Sequence, residues 1–401
     1  MRVVIAGGGT GGHLFPGLAV ARALKARLPD SQISFAGTAA GIEARVIPAT
    51  EFALDLIRSA GLKGKSLAAR ARGAALVPLG GVDAWRLISR RRPDVVIGVG
   101  GYSSGPVVAV AAMRGIATMV LEQNAVPGLT NRLLARFVGR AAVTYDASVK
   151  YFGAKAFVSG NPVRREFLEV DDDPSHDAAI NASRVRVLVF GGSQGAHAIN
   201  VAIVEAAPRL AGAAETLDLV CQTGTRDFEM VRAAFERHGV QGRVERFIDA
   251  MDREMKAAGL VVSRAGATTL AEVTAAGRPA ILVPLPTATD DHQRHNARAL
   301  EKAGAAELIE QGDLTGDRLA GRILALAGDR ALRRRMSAAA RQLAKPRAAE
   351  DIVDALIELE AAKRPPSPKL RRATPQRSDG GRGASGPRKR SDGSGAGGPR
   401  D

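Results

Sequence analysis

Three glycine-rich turns carry the first chemical signal in this sequence. Gly7-Gly8-Gly9-Thr10-Gly11-Gly12-His13 follows a β-type run, Arg2–Ala6, and opens a segment of helical period. Glycines let a backbone approach a ligand closely, and free amides at the start of a helix attract anions. Phe190-Gly191-Gly192-Ser193-Gln194-Gly195-Ala196 repeats the device in the second half, where Ser193 adds a hydroxyl suited to a phosphate oxygen. The third turn is Ser263-Arg264-Ala265-Gly266-Ala267-Thr268-Thr269, and Glu272 follows it within about one helical turn. A carboxylate so placed can accept both hydroxyls of a ribose, or it can be a solvated first-turn acid favoured by the helix dipole.

The first turn also satisfies GxGxxG at Gly7, Gly9 and Gly12. That fingerprint belongs to dinucleotide enzymes only when an acidic residue closes the second strand and holds the ribose. Here the second strand ends Ser34-Phe35-Ala36-Gly37-Thr38, without a carboxylate, which argues against a nicotinamide enzyme. A turn that merely packs tightly is the bland alternative, and the glycine density exceeds what packing asks.

The elements that must hold these turns alternate between short apolar β-type runs and longer helical stretches. The strand candidates are Arg2–Ala6, Gln32–Ala36, Asp94–Val99, Thr118–Leu121 and Lys155–Val158, then Arg186–Phe190, Leu217–Cys221, Arg243–Phe247, Leu260–Ser263 and Ala280–Val283. Helical spacing lies between them, for example over His13–Leu28 and Ser104–Arg114. Such alternation predicts α/β architecture with parallel sheets and crossover helices. Two doubly wound, Rossmann-like domains are expected, residues 1–160 and 161–345, facing each other across a cleft. An amphipathic stretch, Ala348–Ala361, forms a closing helix at about 346–362 that is free to return to the first domain.

Composition narrows the classes. The chain has 401 residues, 45 % of them apolar and 24 % charged, which excludes a wholly disordered protein. Its single cysteine, Cys221, rules out an internal disulfide, and with 6 histidines a dedicated zinc cluster is not expected. The N-terminal apolar run is too short for a signal-peptide core and no long apolar span appears, so a cytoplasmic, non-spanning protein is expected. The net charge of +16 is uneven: eleven Lys/Arg stand against three Asp between Lys363 and Asp401. That Gly/Pro/Ser/Arg-rich segment, 363–401, reads as a disordered basic tail. It has no aromatic residue to stack on bases, so its Arg388-Lys389-Arg390 cluster does not imply specific nucleic-acid binding.

Six motifs occur in order: GGGTGGH (Gly7–His13), EQNAVPGLTNR (Glu122–Arg132), GNPVR (Gly160–Arg164), GGSQGA (Gly191–Ala196), SRAGATTLAE (Ser263–Glu272) and DHQRHNA (Asp291–Ala297). Together they resemble the peptidoglycan N-acetylglucosaminyltransferases of glycosyltransferase family 28, over residues 1 to about 362. The resemblance implies a GT-B fold and transfer of N-acetylglucosamine (GlcNAc) from UDP-GlcNAc to the C4 hydroxyl of the muramoyl sugar in undecaprenyl-diphospho-MurNAc-pentapeptide, lipid I. The product is lipid II, formed with inversion. It also implies an anionic membrane surface and other cell-wall synthesis proteins as partners, and a peripheral location on the cytoplasmic face of the inner membrane.

The resemblance further implies a UDP-GlcNAc site of Thr10, Gly11, Gly12 and Asn124 from the first half. Arg164 lies near the nucleotide, Ser193 on the diphosphate, and Ile248 offers backbone groups to the uracil edge. Ala267 and Thr268 contribute helix-start amides, Glu272 the ribose contact, and Gln293 a bond to sugar hydroxyls. Two positions depart from the family: Leu121 stands where a histidine often precedes EQN, and His292-Gln293 stands for a Gln-Gln pair.

An inverting transfer needs a base for the acceptor hydroxyl and stabilisation of the departing diphosphate. His13 is the first candidate base because it closes the first turn and titrates near neutral pH; a packing role at the helix start is its alternative. Glu122 is the second. No Asp-x-Asp pair in a metal-binding context stands out, so no cofactor and no obligatory metal are expected.

A lipid-borne acceptor requires docking on the bilayer. Nine cations lie between Arg58 and Arg92, opposed by Asp83 and interleaved with Leu76, Val77, Leu79, Trp85, Leu87 and Ile88. Leu76, Leu79, Trp85, Arg90, Arg91 and Arg92 are the expected docking residues, against the alternative of an ordinary helix with one core face. Three rival functions are weighed: a UDP-sugar transferase on another lipid such as diacylglycerol, a UDP-GlcNAc 2-epimerase, and a nucleotide-binding regulator with a nucleic-acid-binding tail.

Overall fold

The structure, a computed structural model, describes residues 1–59, 67–168, 174–192 and 195–363. The expected basic tail from residue 364 onward lies outside them.

The first sheet has seven parallel strands: β1 (Arg2–Gly7), β2 (Gln32–Gly37), β3 (Ala53–Leu56), β4 (Val95–Gly100), β5 (Ala117–Glu122), β6 (Arg140–Val143) and β7 (Ala156–Val158). Its helices are α1 (Gly11–Arg27), α2 (Glu43–Val46), α3 (Leu67–Arg91), α4 (Ser104–Met113), α5 (Leu129–Leu134) and α6 (Asp146–Val149). Strands β4 and β5 are buried along their whole length, which is why they read as unbroken apolar runs. Alternate residues of β1 go to opposite faces: Val3 and Ile5 meet α1, whereas Val4 and Ala6 meet α3 and α4.

The second sheet has six parallel strands: β8 (Val185–Phe190), β9 (Leu217–Gln222), β10 (Gly242–Glu245), β11 (Leu260–Ser263), β12 (Ala280–Leu282) and β13 (Ala306–Leu308). Around it lie α7 (Pro174–Asn181), α8 (His197–Ala211), α9 (Phe228–His238), α10 (Met251–Ala257), α11 (Ala267–Ala275), α12 (His292–Lys302), α13 (Gly316–Gly328) and α14 (Arg330–Leu343). The last helix, α15 (Ala348–Lys363), crosses back to the first sheet, where Ile352, Val353 and Leu356 join the core of β1 and α1.

The strand orders, β3-β2-β1-β4-β5-β6-β7 and β10-β9-β8-β11-β12-β13, are the same winding twice. Each reverses direction beside its first strand, between β1 and β4 and between β8 and β11. A crevice opens at the carboxyl ends of strands at such a switch point. The glycine turns after β1, β8 and β11 all leave from those ends.

Three strands were not anticipated from the sequence: β3, β6 and β13. Each is three or four residues long, and Arg140-Ala141-Ala142-Val143 has little β-branched character of its own. Pairing with stronger neighbours forms it.

Candidate functional site

The first glycine turn holds an anion that belongs to the protein. Glu43, fully buried at the start of α2, accepts the Gly9 amide at 2.7 Å with Oε2; its Oε1 takes the Thr38 amide at 2.8 Å and the Thr38 hydroxyl at 3.1 Å. The Gly8 amide donates to Gly100 O. A Cβ at Gly8, Gly37 or Gly41 would run into the Glu43 carboxyl group. The expectation that this turn offers its amides to a phosphate is therefore corrected at Gly8 and Gly9. Glu43 lies outside every motif, and only the fold brings it beneath the turn.

Thr10 and Gly12 remain exposed at the rim of this turn, and Gly11 is half-buried. The Gly12 carbonyl accepts the Thr268 hydroxyl at 3.1 Å, so the first and third glycine turns meet directly. His13 follows, half-buried, with Nδ1 3.2 Å from Gln123 Oε1. Gln123 in turn donates from Nε2 to Val99 O at 3.0 Å. Gly100, at φ +98°, lies flat beneath the ring: a Cβ there would stand 2.6 Å from Nδ1. Burial lowers the His13 pKa, aided by His292 and opposed by the bonds to Gln123 and Val99 and by Glu43.

Glu122, the second base candidate, does a different job. Its buried carboxylate accepts the Asn124 amide (3.0 Å) and side chain (3.3 Å) on Oε1, and the Gly128 amide (3.1 Å) and Asn131 side chain (2.9 Å) on Oε2. Both oxygens are committed to shaping the loop after β5, so the base assignment to Glu122 is corrected. Burial raises its pKa against those same donors. The loop then reaches the second sheet's side. Asn296 on α12 accepts the Ala125 amide at 3.0 Å and donates to Asn124 Oδ1 at 3.3 Å, while Arg132 pairs with Asp290 at 3.1 Å. Asn124 is thus held at both ends of its amide.

On the opposite rim, Gly192 and Gly195 take positive φ, and a Cβ at Gly195 would collide with Thr223 O. Ser193 lies outside the described residues. Gln222 braces this turn by donating to Gly192 O at 2.9 Å while its Oε1 accepts the Ile248 amide at 2.9 Å. The Ile248 amide is therefore engaged, which corrects the expectation that this group is offered to a uracil edge. Gly266 caps α11, so Ala267 and Thr268 stand in its first turn. Glu272, buried on the same helix, is 3.1 Å from Arg164 Nη2. Arg164 lies over the rings of Phe15 and Phe167. Gln293 accepts the Leu285 amide at 3.0 Å through Oε1, which turns its NH2 group away from that backbone.

Sequence reasoning missed Glu43, Gln222, Gln123 and Asn296 as contributors to this geometry. The last two sit inside the quoted EQN and DHQRHNA motifs, so the signal for them was present. A separate cavity of about 440 Å³ opens at the amino ends of β1 and β2, away from all of these groups.

Residues 3–143 match the glycosyltransferase family 28 N-terminal domain, and residues 186–352 match the family 28 C-terminal domain. The chain is 47 % identical over 90 % of its length to the UDP-N-acetylglucosamine--N-acetylmuramyl-(pentapeptide) pyrophosphoryl-undecaprenol N-acetylglucosamine transferase of Anaeromyxobacter sp. strain K, covering 93 % of that protein. This chain belongs to glycosyltransferase family 28. Among solved structures, that of Acinetobacter baumannii MurG is similar with a TM-score of 0.71 and 31 % identity, covering 89 % of this chain and 99 % of that one. A putative UDP-N-acetylglucosamine 2-epimerase from Listeria monocytogenes matches at TM-score 0.65 and 16 % identity, over 89 % and 95 % of the two chains, and shares the fold alone. The two-sheet architecture of this family 28 glycosyltransferase is the GT-B fold.

The helix expected to dock on membranes has two faces. Ala84, Leu87 and Ile88 of α3 are core. Trp85, 53 % exposed, Val82 and Leu79 face outward; the Leu76 side chain, Lys63 and Lys65 lie outside the described residues. Arg90 and Arg91 both pair with buried Asp55, and Arg58 pairs with Asp83, so Asp83 is not the only acid opposing these cations. Arg92 is exposed at the helix end. The sequence reading missed Met113, 75 % exposed, and Arg114, whose guanidinium stacks 4.8 Å from the Trp85 ring. Among the described residues no helix is long and apolar enough to cross a membrane.

Proposed function

We propose that this enzyme transfers GlcNAc from UDP-GlcNAc to the C4 hydroxyl of MurNAc in lipid I, giving lipid II with inversion. The observation that carries the reading is the bond between Thr268 and Gly12: it sets the donor-type glycine turn of one sheet against the histidine-bearing turn of the other. The anomeric carbon of the donor belongs in that seam.

In the reaction the acceptor oxygen forms its bond to the anomeric carbon while the bond to the diphosphate oxygen breaks. The electron pair leaves with UDP, and the hydroxyl proton passes to His13. A half-buried imidazole whose pKa burial lowers suits that task. Charge growing on the diphosphate is met by the Gly191–Ala196 turn with Ser193, by the first turn of α11 and by Arg164. The assignment gives no part of this task to a metal. Glu272 receives the ribose hydroxyls and Gln293 donates to the sugar. The exposed Leu79, Val82, Trp85 and Met113, with Arg114 and Arg92, form the face that meets anionic headgroups on the inner membrane.

Incubation with labelled UDP-GlcNAc and a short-chain lipid I analogue tests the reading by disaccharide formation. Conversion of UDP-GlcNAc to its 2-epimer without acceptor, or transfer to diacylglycerol in place of the lipid I analogue, would overturn it.

A further inference from the structure

We propose that Gln123 is a positioning residue that fixes the tautomer of His13, so that the imidazole meets the acceptor alcohol with an unprotonated Nε2. The inference rests on the reading of His13 as the base.

Val99 O is a carbonyl and only accepts, so the end of Gln123 that lies 3.0 Å from it must be the NH2 group. The other end, Oε1, therefore faces His13 Nδ1 at 3.2 Å. An oxygen that only accepts asks its neighbour to donate, so the neutral ring carries its proton on Nδ1 and its lone pair on Nε2. Gly100 packs on the face of the same ring, where a Cβ would stand 2.6 Å from Nδ1 and nothing larger than hydrogen fits. With Nδ1 engaged by Gln123, Nε2 is the nitrogen assigned to the substrate. Gln123 is itself almost wholly buried, and its bond to Val99 O is shielded from water. A base holding the wrong tautomer has a proton where it needs a lone pair, and catalysis through such a histidine falls by orders of magnitude.

The test uses the full chain labelled with ¹⁵N-histidine. In the parent enzyme at pH 8 the His13 resonances, assigned by their loss in His13→Gln, are expected to show protonated Nδ1 and unprotonated Nε2. Gln123→Met keeps the volume and removes both bonds; it is expected to mix the tautomers and lower kcat roughly tenfold, with the donor KM within about threefold. Gln123→Glu restores an acceptor for Nδ1 and is expected to recover the tautomer. A parent His13 protonated on Nε2 overturns the proposal without need of any variant. Unchanged kcat in Gln123→Met beside an impaired His13→Gln overturns it while leaving His13 as base. Unchanged kcat in His13→Gln overturns both readings.

Discussion

Arg164 joins three parts of the molecule through one guanidinium: Nη2 is 3.1 Å from Glu272 Oε1, and the plane lies over Phe15 of α1 and Phe167. Glu272 is buried, and burial raises its pKa against the charge and hydrogen bond of Arg164. A carboxyl group whose pKa is raised on folding opposes folding above its ordinary range and ceases to do so as pH falls. Arg164→Met removes the opposing charge, so the cost grows at neutral pH. The expected destabilisation is below the roughly 3–5 kcal/mol of a fully buried broken pair, since the Arg164 side chain is 30 % exposed. Thermal melts at pH 7.5 and pH 5 check this: the deficit shrinks on acidification, and Glu272→Gln in the Arg164→Met background restores stability. An equal deficit at both pH values, with no rescue, refutes the coupling. Glu272→Gln alone is expected to raise the donor KM more than it lowers kcat.

His13 gives the second expectation. Burial and His292 lower its pKa, while Gln123, Val99 and Glu43 act in the other direction. The net direction is downward, so the ring stays neutral, and competent as a base, to a lower pH than an ordinary histidine near 6.5. Titration of the His13 resonances should give a midpoint below that value, and the acid limb of kcat/KM should follow it. His13→Gln is expected to lower kcat by about 10²–10⁴ with little change in donor KM. A midpoint above 6.5 contradicts the electrostatic argument.

Glu43 gives the third. Its buried carboxylate satisfies the Gly9 and Thr38 amides and the Thr38 hydroxyl. Glu43→Ala leaves the Gly9 and Thr38 amides and the Thr38 hydroxyl without this partner; the three bonds are only partly buried, so water recovers part of the about 1–3 kcal/mol that a buried unmet donor costs. A loss of about 1–3 kcal/mol in all is expected in denaturant unfolding, with a fall in kcat as the His13 turn loosens. Gly8→Ala should do comparable harm from the other side, because its φ of +147° and the carboxylate both exclude a methyl group. Wild-type stability and turnover in Glu43→Ala would show that the turn holds its shape without an internal anion.

The double winding and the glycine turns were legible because they are local: a strand, a turn and a helix start within about a dozen residues leave a periodicity that a single sequence shows. What was not legible is non-local. Glu43 reaches a turn thirty-four residues away. Gln222 joins Gly192 to Ile248 across strands. Glu122 looked available as a base until its four donors, all within nine residues, proved to be wrapped around it. Arg90 and Arg91 looked like free surface charge because Asp55 lies on an edge strand, β3, too short to be noticed.

That last pairing changes how membrane docking is tested. Replacing Arg90 and Arg91 together removes both partners of buried Asp55, so weaker vesicle binding in that variant would report a damaged lobe as readily as lost headgroup contacts. Trp85 and Met113 are free of this confusion: both are exposed, and the Trp85 ring stacks with Arg114, itself a surface cation. A ring and a thioether entering the headgroup region each remove apolar area from water, and a nearby cation adds up to about 1 kcal/mol on an anionic surface. Trp85→Ser with Met113→Ser is expected to weaken partition onto phosphatidylglycerol vesicles about tenfold, while melts and turnover on a water-soluble acceptor analogue stay at parent values. Arg114→Ser should flatten the salt dependence of the remaining binding. Unaltered partition in the Trp85/Met113 variant would move the docking face elsewhere on the first lobe, with the exposed Leu133 and Phe137 beyond α4 the next surface to substitute.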